Sequence, residues 1–306
     1  MVWMLAFACL SVQVSAGTSI DVDREGSFSL TYPCSDTEFQ IYRIAELSES
    51  AQITLTKEFA KYPVHFTWSQ QEQWGKQAET LAAYVHRDQL TSYKNKKTDA
   101  KGIVQFSNLK TGLYLILGEQ TEKDGFLYTP MPWILSIPMK QKDSIVYDGN
   151  VNPKYERQEI SQKKVDYEVI KVWEDDGYEE KRPKSIQVEL LRDGELYGSV
   201  TLNEKNGWSH TWKDLSNQYH WQVAEKIDNA YIAEVSKEGD AFIITNTYKK
   251  ETAGSGEKKE GEHGGKSTSK LPQTGQLWWP VPILSAAGCL SLLIGIMIRR
   301  KKHEKA

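Results

Sequence analysis

Cysteine is nearly absent. The chain of 306 residues has three, Cys9, Cys34 and Cys289, and the first and last lie in apolar terminal stretches. Only Cys34 stands between them, so the middle of the chain cannot hold a disulfide of its own. If that middle is exported and stapled, another bond must do the stapling. Net charge is scarce as well: 38 Lys and Arg against 41 Asp and Glu leave −3, which gives no electrostatic footprint for nucleic acid. The histidines His65, His86, His210 and His220 are scattered and lack metal-ligand spacing. No nucleophile–base–acid grouping for turnover stands out. The expectation is a protein that is not an enzyme and uses no cofactor and no metal.

Charge is missing from both ends too. Residues 1–16, MVWMLAFACLSVQVSA, are apolar and finish on small residues before Gly17, as a secretory signal peptide does. The lack of Lys or Arg at its start points to a true start further upstream. Leu277 to Ile298 has no charged residue. At about 1.5 Å per residue it spans roughly 33 Å as a helix, enough to cross a membrane. RRKKHEKA follows, a basic cluster that should stay in the cytoplasm. The stretch 249–270, rich in Gly, Lys, Glu and Ser, cannot bury enough surface to fold and reads as a flexible spacer.

Just before the apolar run stands LPQTG: Leu271, Pro272, Gln273, Thr274 and Gly275. Motif, apolar span and basic tail, in that order, resemble the cell-wall sorting signal of Gram-positive surface proteins. The resemblance implies that a sortase cuts between Thr274 and Gly275. Thr274 is then joined to an amine of the peptidoglycan precursor, or of a pilus subunit, leaving the chain anchored in the cell wall at the cell surface. The alternative is a permanent single-pass membrane protein.

From 165 to 248 the pattern is short alternating strands. VDYEVIKVW puts Val165, Tyr167, Val169, Lys171 and Trp173 on one face, and HWQVAEKI does the same for Trp221, Val223, Glu225 and Ile227. AFIITNTY aligns Phe242, Ile244, Asn246 and Tyr248. Asp193-Gly194 marks a two-residue hairpin. Helical periodicity is missing, so an all-β sandwich is expected.

Three strands then share one anomaly. Lys171, Glu225 and Asn246 each sit on an otherwise apolar face, where an unpartnered polar group costs roughly 1–3 kcal/mol. Together they are an amine, an acid and an amide. Burial lowers a lysine pKa and raises a glutamate pKa. A neutral Lys171 can attack the Asn246 amide while a protonated Glu225 shuttles protons. Ammonia leaves and an isopeptide bond remains. The plain alternative is a buried Lys–Glu ion pair beside a satisfied asparagine.

The phrases IKVWEDDG, KRPKSIQVELLRDGE, LNEKNGWSHTWKDL, WQVAEK and FIITNTY resemble the B-type repeat domain of collagen-binding adhesins (Cna-B). In that family a first-strand lysine is bonded to a last-strand asparagine with an acidic proton shuttle between. The resemblance places these roles on Lys171, Asn246 and Glu225. The family's usual Gly-Tyr after the acidic strand is Ala230-Tyr231 here.

From 17 to 155 the chain also reads as β, with SFSLTY, FQIYRIAEL and MPWILSIPM as strands and 102–119 as a hairpin turning at Thr111-Gly112. Gln70 to Leu90 carries a helical stripe at Trp74, Ala78, Leu81 and Val85, with Ser69 and Glu72 as a capping box. FQIYRIAE, LKTGLYLILGE and YTPMPWILSIPM resemble the N-terminal domain of sortase-assembled pilins. Leu30, Thr31 and Tyr32 stand where a bond-forming lysine would be, so no crosslink is expected in this domain. A degraded pilin motif around Val151, Pro153 and Lys154 makes Lys154 either a polymerisation site or an exposed linker lysine. Cys34 has no convincing partner glutamine for a thioester and reads as a buried or idle thiol.

The whole is expected to be mainly β. It has two tandem immunoglobulin-like, Cna-B-type β-sandwich domains, 17–155 and 165–248, the first with an inserted helix, plus a C-terminal transmembrane helix at 277–298. The implied partners are a sortase, the peptidoglycan precursor or a pilus subunit through Thr274, and a host matrix protein or glycan.

Overall fold

The structure, a computed structural model, describes residues 19–141, 144–226 and 230–249. The expected signal peptide, the spacer past Lys249, the LPQTG motif, the transmembrane segment and the basic tail lie outside the described residues. Among the described residues, no helix is long and apolar enough to cross a membrane.

The first region runs through β1 (Gly26–Thr31), β2 (Glu38–Leu47), β3 (Ile53–Leu55), α1 (Trp74–Arg87), β4 (Lys94–Lys97), β5 (Ile103–Leu109) and β6 (Gly112–Gly118). It continues with β7 (Thr121–Lys123), β8 (Phe126–Pro130), β9 (Trp133–Ile137), β10 (Met139–Gln141), β11 (Ser144–Val146), β12 (Asp148–Val151) and β13 (Tyr155–Glu159). One sheet orders β12-β1-β5 and another β3-β2-β6-β9, with β4 also on β2. Phe28, Leu30, Phe106, Phe39, Ile41, Tyr114 and Ile116 fill the core between them. Leu113, Leu115 and Leu117 point the other way, into a second core under α1. GLYLILG is thus continuously apolar because both faces of β6 are covered.

That burial overturns the hairpin expected over 102–119. β6 is paired on both edges, by β2 and β9, so β5 has no edge to join and pairs with β1 instead. The turn at Lys110-Thr111 therefore crosses from one sheet to the other, entered through Asn108 in a left-handed conformation (φ 54°). The helical stripe holds: Trp74, Ala78, Leu81 and Val85 are buried. The capping box does not form. Ser69 and Glu72 fall in a 3-10 turn, Trp68–Gln73, and α1 starts after Gln73 with no side-chain cap. Two indoles pin the turn instead, Trp68 Nε1 donating to Ala51 O at 2.6 Å and Trp74 Nε1 to Thr67 O at 3.2 Å.

The second region holds β14 (Lys164–Glu174), β15 (Ser185–Arg192), β16 (Glu195–Asn203), β17 (Ser209–Ser216), β18 (Trp221–Lys226), β19 (Tyr231–Glu238) and β20 (Ala241–Tyr248). Sheets β17-β14-β20-β19 and β16-β15-β18 enclose Tyr167, Val169, Val188, Leu190, Val223 and Ile244. Asp193 (φ 51°) and Gly194 (φ 83°) join β15 to β16 with Arg192 opposite Glu195, the two-residue turn expected of an Asp-Gly pair. The two regions share apolar contacts, since Leu191 and Ala224 lie in the same buried cluster as α1.

Gly112 is where the crossover passes closest to β2. A Cβ there would sit 2.4 Å from Ala45 O. Gly112→Ala should lower stability by about 1–3 kcal/mol, read as a lower denaturant midpoint. An unchanged midpoint would show that the crossover has room to spare.

Candidate functional site: a buried amine, acid and amide

β14 alternates along its length, and Lys171 takes the inward position after Val169. β14 and β20 are parallel neighbours with Lys171 opposite Ile244 and Trp173 opposite Asn246. Lys171 and Asn246 therefore face the core from adjacent strands, one inward step apart. Glu225 enters from the other sheet, on β18, where it pairs with Val188. The structure brings all three expected residues together. They are among the most buried polar groups: Lys171 is 5 % exposed, Glu225 1 % and Asn246 0 %.

Lys171 Nζ lies 3.9 Å from Glu225 Oε2, too far for a hydrogen bond. It donates to Val172 O at 3.0 Å and to Ile244 O at 3.2 Å. Two acceptors use both N–H bonds of a neutral amine and leave its lone pair free. Asn246 Nδ2 donates to Glu225 Oε1 at 3.0 Å. Glu225 Oε2 and Asn246 Oδ1 have no hydrogen-bond partner. The O and N of an amide are assigned by the network around them. Turning the Asn246 amide would set its oxygen against Glu225, the arrangement a protonated carboxyl favours.

Burial pushes the Lys171 amine down to about 7, against the opposing pull of Glu225 and Asp175. Burial likewise pushes the Glu225 carboxyl up to about 7, against Lys171 and the Asn246 hydrogen bond. Desolvation is the first cause on both sides. The neutral pair of amine and carboxylic acid holds the same number of protons as the ion pair, so it is one proton transfer away.

Two features of the site were not read from the sequence. The Trp173 ring covers Lys171 Nζ at 4.3 Å and is itself wedged against Trp208 and Tyr231, each 5.2 Å away between ring centres. Just beyond it, buried Asp175 is paired with Arg182. The alternating WED…KR pattern signals them only once the register with the last strand is known. Elsewhere, Lys154 is exposed between β12 and β13, and its carbonyl accepts from Met131 N at 2.9 Å. Cys34 is 1 % exposed, and burial pushes its thiol up from its ordinary value, as for an idle core thiol. Leu271, Pro272, Gln273, Thr274 and Gly275 lie outside the described residues.

Residues 167–247 match the family described as the Cna protein B-type domain. A collagen adhesin of Staphylococcus aureus is 37% identical over 100 residues, which is 29% of this chain and 8% of that relative. The chain thus spans a small fraction of that relative's length. Among solved structures, a single B repeat unit (B1) of the collagen-binding surface protein Cna of Staphylococcus aureus overlays with TM-score 0.27 and 16% identity, over 74% of this chain and 98% of that one. The full-length major pilin SpaD from Corynebacterium diphtheriae gives TM-score 0.30 and 14% identity, over 75% and 66%. Both overlays are remote.

A variant without the amine isolates the acid. In Lys171→Met the carboxyl of Glu225 loses the charge that favours its ionised form and stays above its usual 4.5. A pKa raised by folding gives stability that is present below the unfolded value and lost as pH rises through the folded one. Lys171→Met should therefore lose stability between about pH 4.5 and pH 8, on the order of 3 kcal/mol. Adding Glu225→Gln should flatten this dependence. Equal denaturant midpoints for Lys171→Met at pH 5 and pH 8 would show that Glu225 is not held in a dry site.

Proposed function

We propose that the second sandwich is closed by an isopeptide bond between Lys171 and Asn246, with Glu225 as proton shuttle, in a cell-surface structural or adhesion protein. The observation that carries this reading is the convergence of a lysine, a glutamate and an asparagine, all nearly solvent-free, on one point of an apolar core. The neutral Nζ attacks Cγ of Asn246 while Glu225 donates a proton toward Oδ1. Glu225 then takes a proton from Nζ and delivers it to Nδ2. As the Cγ–Nδ2 bond breaks, Oδ1 returns its proton to Glu225, ammonia leaves and the new amide remains. Charge builds only transiently, in a site that excludes water. No oxidant, cofactor or second enzyme enters the balance, and the bond forms once, without turnover.

The bond fits a load-bearing role. β14 and β20 are the first and last strands of the domain and lie side by side in parallel. Joining them lets tension pass from one to the other without stretching what lies between. By analogy with a disulfide, closing so long a loop contributes about 4–5 kcal/mol. LPQTG, the uncharged span after it and the basic tail support sortase cleavage after Thr274 and attachment to peptidoglycan. The collagen adhesin relative makes a host matrix protein or glycan a candidate ligand.

A second reading is favoured by the exposure of Lys154. A free amine there, with Thr274 at the other end, would let copies join as a polymerising pilus subunit.

Intact mass tests the bond. The recombinant region from Gly17 to Lys249 should weigh one ammonia less than its sequence, and Lys171→Ala and Glu225→Ala should show the full mass of theirs. A wild type at full mass would sink the crosslink. Co-expression with a pilus sortase decides the second reading: an SDS-resistant ladder, lost in Lys154→Ala, supports polymerisation, and no ladder leaves the singly anchored protein.

A further inference from the structure

β18 and β19 are outer strands of their two sheets. Each presents a row of backbone groups with no strand beside it, and α1 of the first region packs against both. Thr80 Oγ1 accepts Val235 N–H at 2.8 Å, and Pro63 O, ahead of the helix, accepts Ala233 N–H at 2.8 Å. The Tyr84 hydroxyl donates to the backbone carbonyl of Glu225 at 3.0 Å, across 141 residues of sequence. His86 Nδ1 meets Gln222 Oε1 at 2.7 Å. Ala233 pairs with Asn246 and Val235 with Ile244, so these contacts fall level with the amine, acid and amide. Tyr84 is 3 % exposed. The alternation of β18 turns Gln222 and Ala224 away from its own core, yet both are buried, because α1 covers them.

Resting on the crosslink proposed above, we propose that α1 completes the crosslinking centre. Tyr84 is a positioning residue that holds the main chain of Glu225, and the helix seals the open side of the sandwich, so the bond forms only after the two regions have docked. On one side the β18 backbone at Glu225 is held by β15. On the other side it is held by the Tyr84 phenol. A carboxyl that must serve Oδ1, Nζ and Nδ2 in succession tolerates little displacement. The seal keeps water from the amine, and a hydrated amine is protonated and cannot attack. The first region thereby acts as a checkpoint: an undocked, half-folded chain is not locked.

The test follows bond formation in time. The full chain is made by cell-free synthesis in detergent and sampled at intervals across pH 5–9. Tryptic peptides are then scored for the linked Lys171–Asn246 pair. The charged groups around the site are Glu174 on β14 and Asp175 and Arg182 in the turn after it, with Arg87 and Asp88 beside the Tyr84 phenol, which burial keeps neutral, and none of them is changed. Tyr84→Phe should slow linkage on the order of tenfold or more and move the optimum to higher pH. Thr80→Val, which removes the acceptor for Val235 N–H, should act in the same direction. Protection of Cys34 from maleimide reports that the first core is intact, and a variant that exposes Cys34 is set aside in favour of the other. Wild-type rate and wild-type pH optimum in an intact variant overturn the proposal. A wild-type chain that never yields the linked peptide overturns the crosslink itself, a separate result.

Discussion

Lys171 Nζ and Glu225 Oε2 stand 3.9 Å apart with both side chains out of water. As an ion pair this arrangement gains little. Desolvating two charges costs several kcal/mol each, and buried pairs are often no more stable than apolar groups of the same volume. The hydrogen bonds agree with that accounting. Both N–H bonds of a neutral Lys171 are used by Val172 O and Ile244 O, while the oxygen nearest the amine has no hydrogen bond. This hydrogen bonding suits an uncharged amine next to an uncharged acid. The apolar core around it, with Trp173 laid over the amine, supplies the low dielectric that makes those forms favourable.

The topology sets Lys171 and Asn246 on the first and last strands of the domain, side by side. A parallel pair needs a long crossover, and here nearly the whole domain lies between β14 and β20. Parallel pairing also sets Lys171 and Asn246 on the same face with a fixed stagger. Glu225 reaches the pair from the opposite sheet, on β18. The one cysteine among the described residues, Cys34, is buried without a partner.

Much of the site was legible before any coordinates, for one reason. Strand alternation assigns each residue to a face, and a polar residue on an apolar face is visible without knowing the partner strand. Lys171, Glu225 and Asn246 stood out that way. Alternation is blind to which strands pair, and the errors follow from that. Ile103–Leu109 and Gly112–Gly118 look like a hairpin, but β6 was already paired on both edges. Ser69 and Glu72 have the spacing of a capping box, but two indoles hold the preceding turn more firmly. Gln222 and Ala224 lie on the other face of β18 from Trp221, Val223 and Glu225, and their burial comes from a helix more than a hundred residues away in sequence. Contacts between distant segments leave no period in either one.

That helix joins two requirements usually treated apart. The outer strands of a sheet need cover, or they pair with other chains. A reaction between an amine and an amide needs a dry site. Because Val235 N–H and Glu225 O belong both to open edges and to the level of the reactive trio, one element meets both needs. A strand in that place would satisfy the backbone but would present alternate side chains to each edge. A helix brings a hydroxyl and a phenol, those of Thr80 and Tyr84, onto both edges at once. The buried trio of the second sandwich and the helix inserted in the first are then parts of one packing arrangement, with the only α-helix among the described residues beside the buried acid.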